Sequence, residues 1–141
     1  MKLSNPFNVP YERQTEELSC GAACLSMILR SFGISINQQQ IWEEIEKKAG
    51  VAYVKHMAMY PKRFGIESTI VKVENCTGEI IDFCFANNYR IIILQRNLDN
   101  ERLGHYVVPF STDKNHIYLH DPHIDGTGES QRVSRARQKS E

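Results

Sequence analysis

The fold of this chain is decided by residues 14–25, which read QTEELSCGAACL. From Cys20 onward the sequence predicts a helix that ends at Gly33, because the mostly small and apolar residues 22–32 contain neither proline nor glycine. Ser19 is a natural N-cap, because its hydroxyl can accept a hydrogen bond from a free amide of the first turn. These positions place Cys20 at the N-terminus of the helix.

Cys20 has the sequence surroundings of a nucleophile. The free backbone N–H groups and the positive end of a helix dipole favour a thiolate over a thiol at such a position. Gly21 has no side chain, so we expect open space in which a substrate backbone can approach the sulfur. Gln14 lies six residues before Cys20, and its amide can return to the same sulfur. Together these features predict an activated nucleophile with part of an oxyanion hole.

The chain supplies a candidate general base far downstream of this helix. The run GHYVV at 104–108 has the β-branched, alternating pattern of a strand, and His105 lies at its beginning. A turn at 113–115 and a second strand at 116–120 follow, and they lead to Asp121. Such a hairpin can return Asp121 to His105, where its carboxylate would orient the imidazole as the third member of a triad. The predicted catalytic residues are therefore Cys20, His105, Asp121 and Gln14.

Taken in order and with their spacing, these motifs resemble those of the bacteriocin-processing cysteine peptidases. The resemblance rests on Gln-x5-Cys-Gly-Ala-Ala-Cys-Leu, then Gly-His-Tyr-Val-Val, then His-Asp-Pro, and it covers residues 9–125. Members of this family are papain-like enzymes that cleave leader peptides after a double glycine, often as the N-terminal domain of an ABC exporter. The resemblance implies a papain-like fold in which N-terminal helices pack on a mostly antiparallel sheet.

The resemblance also implies a role for each candidate residue. The implied catalytic roles are nucleophile for Cys20, general base and then acid for His105, orienting residue for Asp121, and oxyanion-hole donor for Gln14. The implied substrate is a peptide or protein with a Gly-Gly motif, which we expect to bind at Gly21, Gly104 and Tyr106. This chemistry requires neither a metal nor an organic cofactor.

The other periodic segments predict helices followed by a sheet, which is the order of an α+β domain. The predicted helices are 38–48, 51–64 with a break at Pro61, and 79–87, and the predicted strands are 66–73 and the fully apolar run 90–95, taken as a central strand. The polar residues 96–103 are predicted as a loop that leads into His105.

Length and charge predict a single soluble domain. The 141 residues carry 17 basic and 17 acidic side chains, so a zero net charge favours neither nucleic acid nor an acidic membrane surface as a partner. No apolar run approaches the roughly 20 residues that a membrane span needs, and the start, MKLSNP, has no signal-peptide core. We expect a peptidase domain at 1–125 and a polar, basic tail at 126–141, frayed or truncated.

The cysteines and the missing secretion signal predict a cytoplasmic protein. With four cysteines and nothing that marks secretion, reduced thiols are expected, and Cys24 and Cys84 lie in apolar helical patterns typical of a core. Two settings fit the same triad. One is a domain of a parent transporter, and the other is a toxin module that is delivered into a target bacterium and inhibited by a cognate immunity protein.

Three other functions remain open on the sequence alone. Acyl transfer to an amine shares the first half of the peptidase reaction. A catalytically inactive module that only binds leader peptides needs no nucleophile, yet this chain has one. A zinc site would draw on Cys20, Cys24, His105, His116, His120 and His123, but the Cys-x3-Cys spacing on one helix is not the usual zinc-knuckle spacing.

Overall fold

The computed structural model describes residues 5–48, 50–73, 76–97, 100–123 and 131–134. The helices are α1 (Cys20–Ser31), α2 (Gln38–Glu44), α3 (Val54–Met59), a 3₁₀ helix (Tyr60–Phe64) and α4 (Gly78–Ala86). The strands are β1 (Lys47–Lys48), β2 (Val51–Ala52), β3 (Ile93–Asn97), β4 (Asn100–Thr112), β5 (His116–His120) and β6 (Gln131–Ser134). The predicted α+β class is confirmed, with the helices preceding an antiparallel sheet.

The main sheet contains four antiparallel strands in the order β3-β4-β5-β6. Gln95 pairs with His105, and Val108 pairs with His120 on the other side of β4. A register shift between Pro109 and Ser111 interrupts the second ladder. The antiparallel register of β4 and β5 returns the residues after His120 toward the part of β4 that holds His105.

Alternation along β4 divides the core into two clusters, one on each face of the sheet. Tyr106, Val108 and Phe110 belong to the larger cluster, which also contains the buried residues of α1. Val107 belongs to the smaller cluster, together with Ile81 of α4 and two residues of β5. Nine consecutive residues of α1, from 21 to 29, are buried, so α1 is a central helix rather than an amphipathic surface helix.

The helix boundaries follow local backbone chemistry. Gly33 has a left-handed φ of +81° just after α1, as predicted for a helix stop. Asn37 caps α2 by accepting a hydrogen bond from the Gln39 amide. The predicted helix 38–48 is too long, because Ile45 is extended and the following lysines pair with β2. The helix predicted for 51–64 begins only at Val54 in the structure.

The predicted strand 66–73 is wrong. Its one backbone hydrogen bond to another described residue joins the Ile66 amide to the Pro61 carbonyl. Ile66 is half-buried, but Ile70, Val71 and Val73 are exposed, with Val71 at 73%. Alternation and β-branching predict a strand only when a neighbouring strand is present to pair with it, and the described sheet places none beside this segment.

Two further predictions need correction. The apolar run 90–95 becomes a strand only from Ile93, and β3 lies at an edge of the described sheet rather than in its centre. The predicted loop 96–103 is mostly strand, because β3 continues to Asn97 and β4 begins at Asn100. The domain boundary at residue 125 stays a prediction, and β6, which pairs with β5, lies within the predicted tail. The rest of that tail, 126–130 and 135–141, lies outside the described residues.

Candidate active site

Cys20 is the first residue of α1 and is half-buried. The first internal bond of the helix runs from the Ala23 amide to the Ser19 carbonyl at 3.1 Å, so the Cys20 amide lies ahead of it and is free to act as a donor. The Ser19 hydroxyl does not cap the helix as predicted. It instead donates to the Glu16 carbonyl at 3.0 Å and accepts from the Glu16 amide at 3.1 Å, which closes the turn leading to the nucleophile.

His105 lies between Asp121 and Cys20. Its Nε2 is 2.5 Å from Oδ1 of Asp121, and Cys20 is close enough to the ring to raise the pKa of His105. Because Nε2 is used by the carboxylate, Nδ1 is the nitrogen available to the sulfur. Oδ1 of Asp121 also accepts the His123 amide at 3.0 Å. The three residues predicted as a triad are therefore brought together in the predicted order.

The electrostatics of this chain of contacts favour a charged imidazole. Burial alone lowers the pKa of His105, but the hydrogen bonds and negative charges of Asp121 and Cys20 outweigh burial and raise the pKa to about 9. For Asp121, burial raises the pKa, and the hydrogen bond and positive charge of His105 outweigh it and lower the pKa. At neutral pH the site thus contains an imidazolium that is held by a carboxylate and lies beside the sulfur of Cys20.

Gln14 lies next to this chain of contacts but its side chain is engaged elsewhere. The residue is 3% exposed, and its backbone amide donates to the Pro122 carbonyl at 2.8 Å. Nε2 donates to the carbonyls of Glu16 at 2.9 Å and Glu17 at 2.8 Å, which uses both amide hydrogens. Oε1 is buried and has no hydrogen-bond partner among the described residues. The oxyanion role of Gln14 stays a prediction, and it requires one N–H to turn toward the sulfur.

The three predicted substrate-binding residues have different surroundings. A Cβ atom at Gly21 would lie 2.8 Å from Sδ of Met57 and 3.4 Å from Cδ2 of Tyr106, so the open space expected there is filled. Tyr106 is 6% exposed and its hydroxyl donates to the Ala52 carbonyl at 2.8 Å, which gives it a packing role. Gly104 pairs with Arg96 across β3 and β4. Contact of these residues with substrate stays a prediction.

Comparison with known proteins agrees with this geometry. Residues 8–136 match the sequence model of the peptidase C39 family. The chain belongs to the peptidase C39 family. The resemblance found in the sequence is thereby confirmed, and this C39 protein is a papain-like cysteine peptidase. No curated protein matches the chain significantly by sequence alone.

Two solved structures share the fold of this C39 peptidase. The peptidase domain of Streptococcus ComA, a bi-functional ABC transporter involved in a quorum-sensing pathway, superimposes with a TM-score of 0.74 at 20% identity. That match covers 95% of this chain and 92% of the other. A putative C39-like peptidase from Bacillus anthracis gives a TM-score of 0.63 at 18% identity, with 96% and 89% covered. At these identities the likeness establishes the fold.

The six residues considered for a zinc site do not form one cluster. Cys24 is fully buried, and burial raises the pKa of its thiol well above the ordinary value. His120 is buried, stacks on Phe110 with ring centroids 3.9 Å apart, and bonds the Val9 carbonyl through Nε2 at 2.9 Å. Within the described ranges, no three His, Cys, Asp or Glu side chains form a group suited to a metal. All four cysteines are free, and Cys84 is half-buried rather than in the core.

Several residues that hold the site in place were missed by sequence reasoning. The Tyr11 hydroxyl donates to the Asp121 carbonyl at 2.8 Å across 110 residues of chain, and the ring of His123 meets that of His105 edge-on at 5.7 Å. Glu12 and Gln38 bracket the backbone around Gln14. No pattern in the chain marks these residues, because each contact joins segments that are distant in sequence.

None of the helices in the described part of this C39 peptidase has the length and apolar composition that crossing a bilayer takes.

Proposed function

We propose that this C39 peptidase is an endopeptidase that cleaves a leader peptide after a Gly-Gly sequence, with Cys20, His105 and Asp121 as its catalytic triad. One observation carries the proposal: the His105 ring bonds Asp121 and also interacts with Cys20, the first residue of α1. A positioned base, an orienting carboxylate and free N–H groups beside one thiol are the parts that acyl transfer needs.

The reaction begins with the sulfur of Cys20, whose proton rests on His105. The thiolate attacks the carbonyl carbon of the scissile peptide bond, and the bond electrons move onto the carbonyl oxygen. His105 then donates its proton to the leaving nitrogen, the C–N bond breaks, and an acyl-enzyme remains on Cys20. Water attacks this thioester as His105 accepts a proton from it, and the thiolate leaves. Asp121 keeps the imidazole oriented throughout.

Gln14 acts at the oxyanion formed in both halves of the reaction. The Cys20 backbone amide supplies one donor, and the Gln14 side chain supplies the second after one of its N–H groups leaves a backbone carbonyl. The exchange is favourable in the transition state because a hydrogen bond to a charged oxygen is about twice as strong as one to a neutral carbonyl. Gln14 thus stabilises the transition state more than the bound substrate.

Two features support a substrate with glycines before the scissile bond. Family resemblance implies a double-glycine leader. The space beside Gly21, the residue after the nucleophile, is already filled by Met57 and Tyr106, so the wall of the site next to Cys20 has no room for a substrate side chain to enter the protein there. A crowded wall of this kind favours substrate residues that have no side chain.

A peptide series tests the proposal directly. Peptides that carry Gly-Gly, Ala-Gly, Gly-Ala or Ala-Ala before one bond are incubated with wild type and with Cys20→Ala, and the products are located by mass spectrometry. We expect a single cut after Gly-Gly, an at least tenfold slower reaction with either alanine substitution, and no cut by Cys20→Ala. Equal cleavage of all four peptides would remove the Gly-Gly specificity, and cleavage by Cys20→Ala would remove the catalytic assignment.

A further inference from the structure

Gln38, the first residue of α2, grips the backbone on both sides of Gln14. Its Nε2 donates to the Arg13 carbonyl at 2.8 Å, and its Oε1 accepts from the Thr15 amide at 3.1 Å. Gln38 is 6% exposed, so water does not compete freely for these bonds. One carboxamide therefore fixes the peptide groups that flank the predicted oxyanion donor.

Glu12 ties this grip to the helix that carries the nucleophile. Its Oε1 accepts the second hydrogen of Gln38 Nε2 at 2.9 Å. Its Oε2 accepts the Ser26 hydroxyl at 2.6 Å and lies 3.4 Å from Nε of Arg30. Ser26 and Arg30 belong to α1, the helix that begins at Cys20. These contacts connect the backbone around Gln14 to α1, the helix that carries the Cys20 sulfur.

The geometry demands a carboxamide at position 38. Gln38 must donate to the Arg13 carbonyl and to Glu12 while it accepts from the Thr15 amide, and only a side chain with both N–H groups and a carbonyl oxygen does all three. The remaining backbone bond of Gln14, to the Pro122 carbonyl, holds it against the segment of Asp121. The main chain of Gln14 is thus held from both sides. Its side chain can therefore rotate while its backbone stays in place.

We propose that Gln38 is a positioning residue that sets the place of the oxyanion donor Gln14 relative to Cys20. This inference rests on the proposed function, since it concerns the acyl-transfer step of the same site. Gln38 does not reach the sulfur or the substrate, and its whole effect on the rate passes through Gln14. Small displacements of a catalytic donor are costly, because its hydrogen bond must match the oxyanion that forms only in the transition state.

Two reactions of the same sulfur separate this role from a general one. Alkylation of Cys20 by iodoacetamide displaces iodide from carbon and forms no oxyanion, so it depends on the thiolate and His105 alone. Acylation of Cys20 by the p-nitrophenyl ester of an N-protected Gly-Gly forms an oxyanion before nitrophenolate leaves. Loss of a positioning residue for the oxyanion donor slows the second reaction and leaves the first unchanged.

The experiment is a double-mutant cycle on single-turnover acylation by that ester, with iodoacetamide labelling of Cys20 measured on each protein. The four proteins are wild type, Gln38→Met, Gln14→Ala and Gln38→Met/Gln14→Ala. We expect Gln38→Met to slow acylation about tenfold in the wild-type background and by less than about twofold when Gln14 is already alanine. Gln40→Met, an exposed glutamine on the same helix, is the matched control and should acylate at the wild-type rate.

The possible results distinguish failure of the inference about Gln38 from failure of the proposed function. If Gln38→Met slows acylation equally with and without Gln14, or slows iodoacetamide labelling to the same extent, Gln38 is only structural and the inference falls while the proposed function stands. If the ester does not acylate wild type at Cys20, the proposed function itself fails and the inference falls with it. Should Gln38→Met not fold, Gln38→Asn keeps the polar group but is too short to reach both partners, and the same cycle applies.

Discussion

The first turn of α1 and the turn that follows it contain the same residue type in opposite chemical settings. Cys20 is half-exposed and lies close enough to His105 to raise the pKa of its ring, whereas Cys24 is fully buried and burial raises the pKa of its thiol. The histidines differ in the same way. Asp121 and Cys20 raise the pKa of His105 to about 9, while burial lowers the pKa of His120.

The comparison shows that the partner and the access to water decide the chemistry of a residue in this fold. His120 bonds a backbone carbonyl, which is uncharged, and burial leaves its ring neutral. His105 bonds a carboxylate, so burial is overcome and the ring carries a charge. The candidate site is the place where a helix end meets a half-buried ion pair, and the neighbouring turn of the same helix is ordinary core.

The largest expected difference is between the two cysteines. Cys20→Ala should lower kcat/KM on a Gly-Gly peptide by about 10⁵-fold, because the nucleophile is lost. Cys24→Ala should keep kcat/KM within about twofold and lower the free energy of unfolding by about 1 kcal/mol, since it removes one buried atom from the core. Steady-state kinetics and urea unfolding measure the two effects, and a large rate loss in Cys24→Ala would erase the distinction between the turns.

Substitutions at the two histidines should differ almost as much in their effect on kcat/KM. His105→Ala should lower kcat/KM by about 10³-fold through loss of the general base. His120→Phe keeps a ring against Phe110 but removes the bond to the Val9 carbonyl, so it should cost about 1 kcal/mol of stability and little rate. Steady-state kinetics and urea unfolding measure these effects as well. Comparable rate losses in both variants would show that the backbone around Val9, which His120 bonds, is itself part of the site.

The pH dependence should report the charge on His105. Activity should fall as pH rises through about 9, where the imidazolium loses the proton that it donates to the leaving nitrogen. Asp121→Asn removes the charge that opposes burial, so the alkaline limb should move to lower pH, with a rate loss of about tenfold. An unchanged limb in Asp121→Asn would mean that Asp121 does not set the charge of the ring.

Stability should follow the same group with a definite sign. The pKa of His105 is raised from 6.5 to about 9 in the folded protein, so its charge stabilises the fold fully below pH 6.5 and this contribution is lost as pH rises to about 9. His105→Ala should flatten that part of the curve of unfolding free energy against pH. Urea unfolding of wild type and His105→Ala between pH 6 and pH 9.5 provides the check.

The smallest expected effect lies at Gly21, between the two cysteines. A Cβ atom there meets Sδ of Met57 at 2.8 Å, close to the end of a flexible side chain that can move. Gly21→Ala should therefore cost only about 1 kcal/mol of stability, and Gly21→Ala/Met57→Ala should cost less than the two single changes added together. Strict additivity would show that the two residues do not share the space beside the nucleophile.

The parts of this fold that sequence predicted correctly are those encoded by local chemistry. The start of α1 at Cys20, its stop at Gly33 and the Asn37 cap each depend on a few adjacent residues. The return of Asp121 to His105 was also predicted, because the two strands and the turn of the hairpin are encoded locally. Family resemblance supplied the papain-like fold, which the match over 8–136 bears out.

The errors occur where a residue's partner lies far along the chain. The segment 66–73 has a strand pattern, but the described sheet offers it no neighbour. The Ser19 hydroxyl could bond either the first turn of α1 or the turn before it. In the structure it bonds the backbone of Glu16 in the preceding turn. The sequence predicts open space beside Gly21, but Met57 fills it. That contact depends on how α3 packs against α1, which the residues around Gly21 do not encode.

The sequence by itself determined the chemical identity of the site: a cysteine at a helix start, a strand histidine and an aspartate after a hairpin, all fixed by short-range patterns. Only the tertiary structure decided which histidine is charged, which cysteine lies beside it, and which cysteine and histidine are core. The reason is that these properties depend on burial and on contacts such as Tyr11 with Asp121 and Gln38 with the backbone around Gln14. Local patterns depend on neighbours in the chain, whereas ionisation and precise placement depend on neighbours in space.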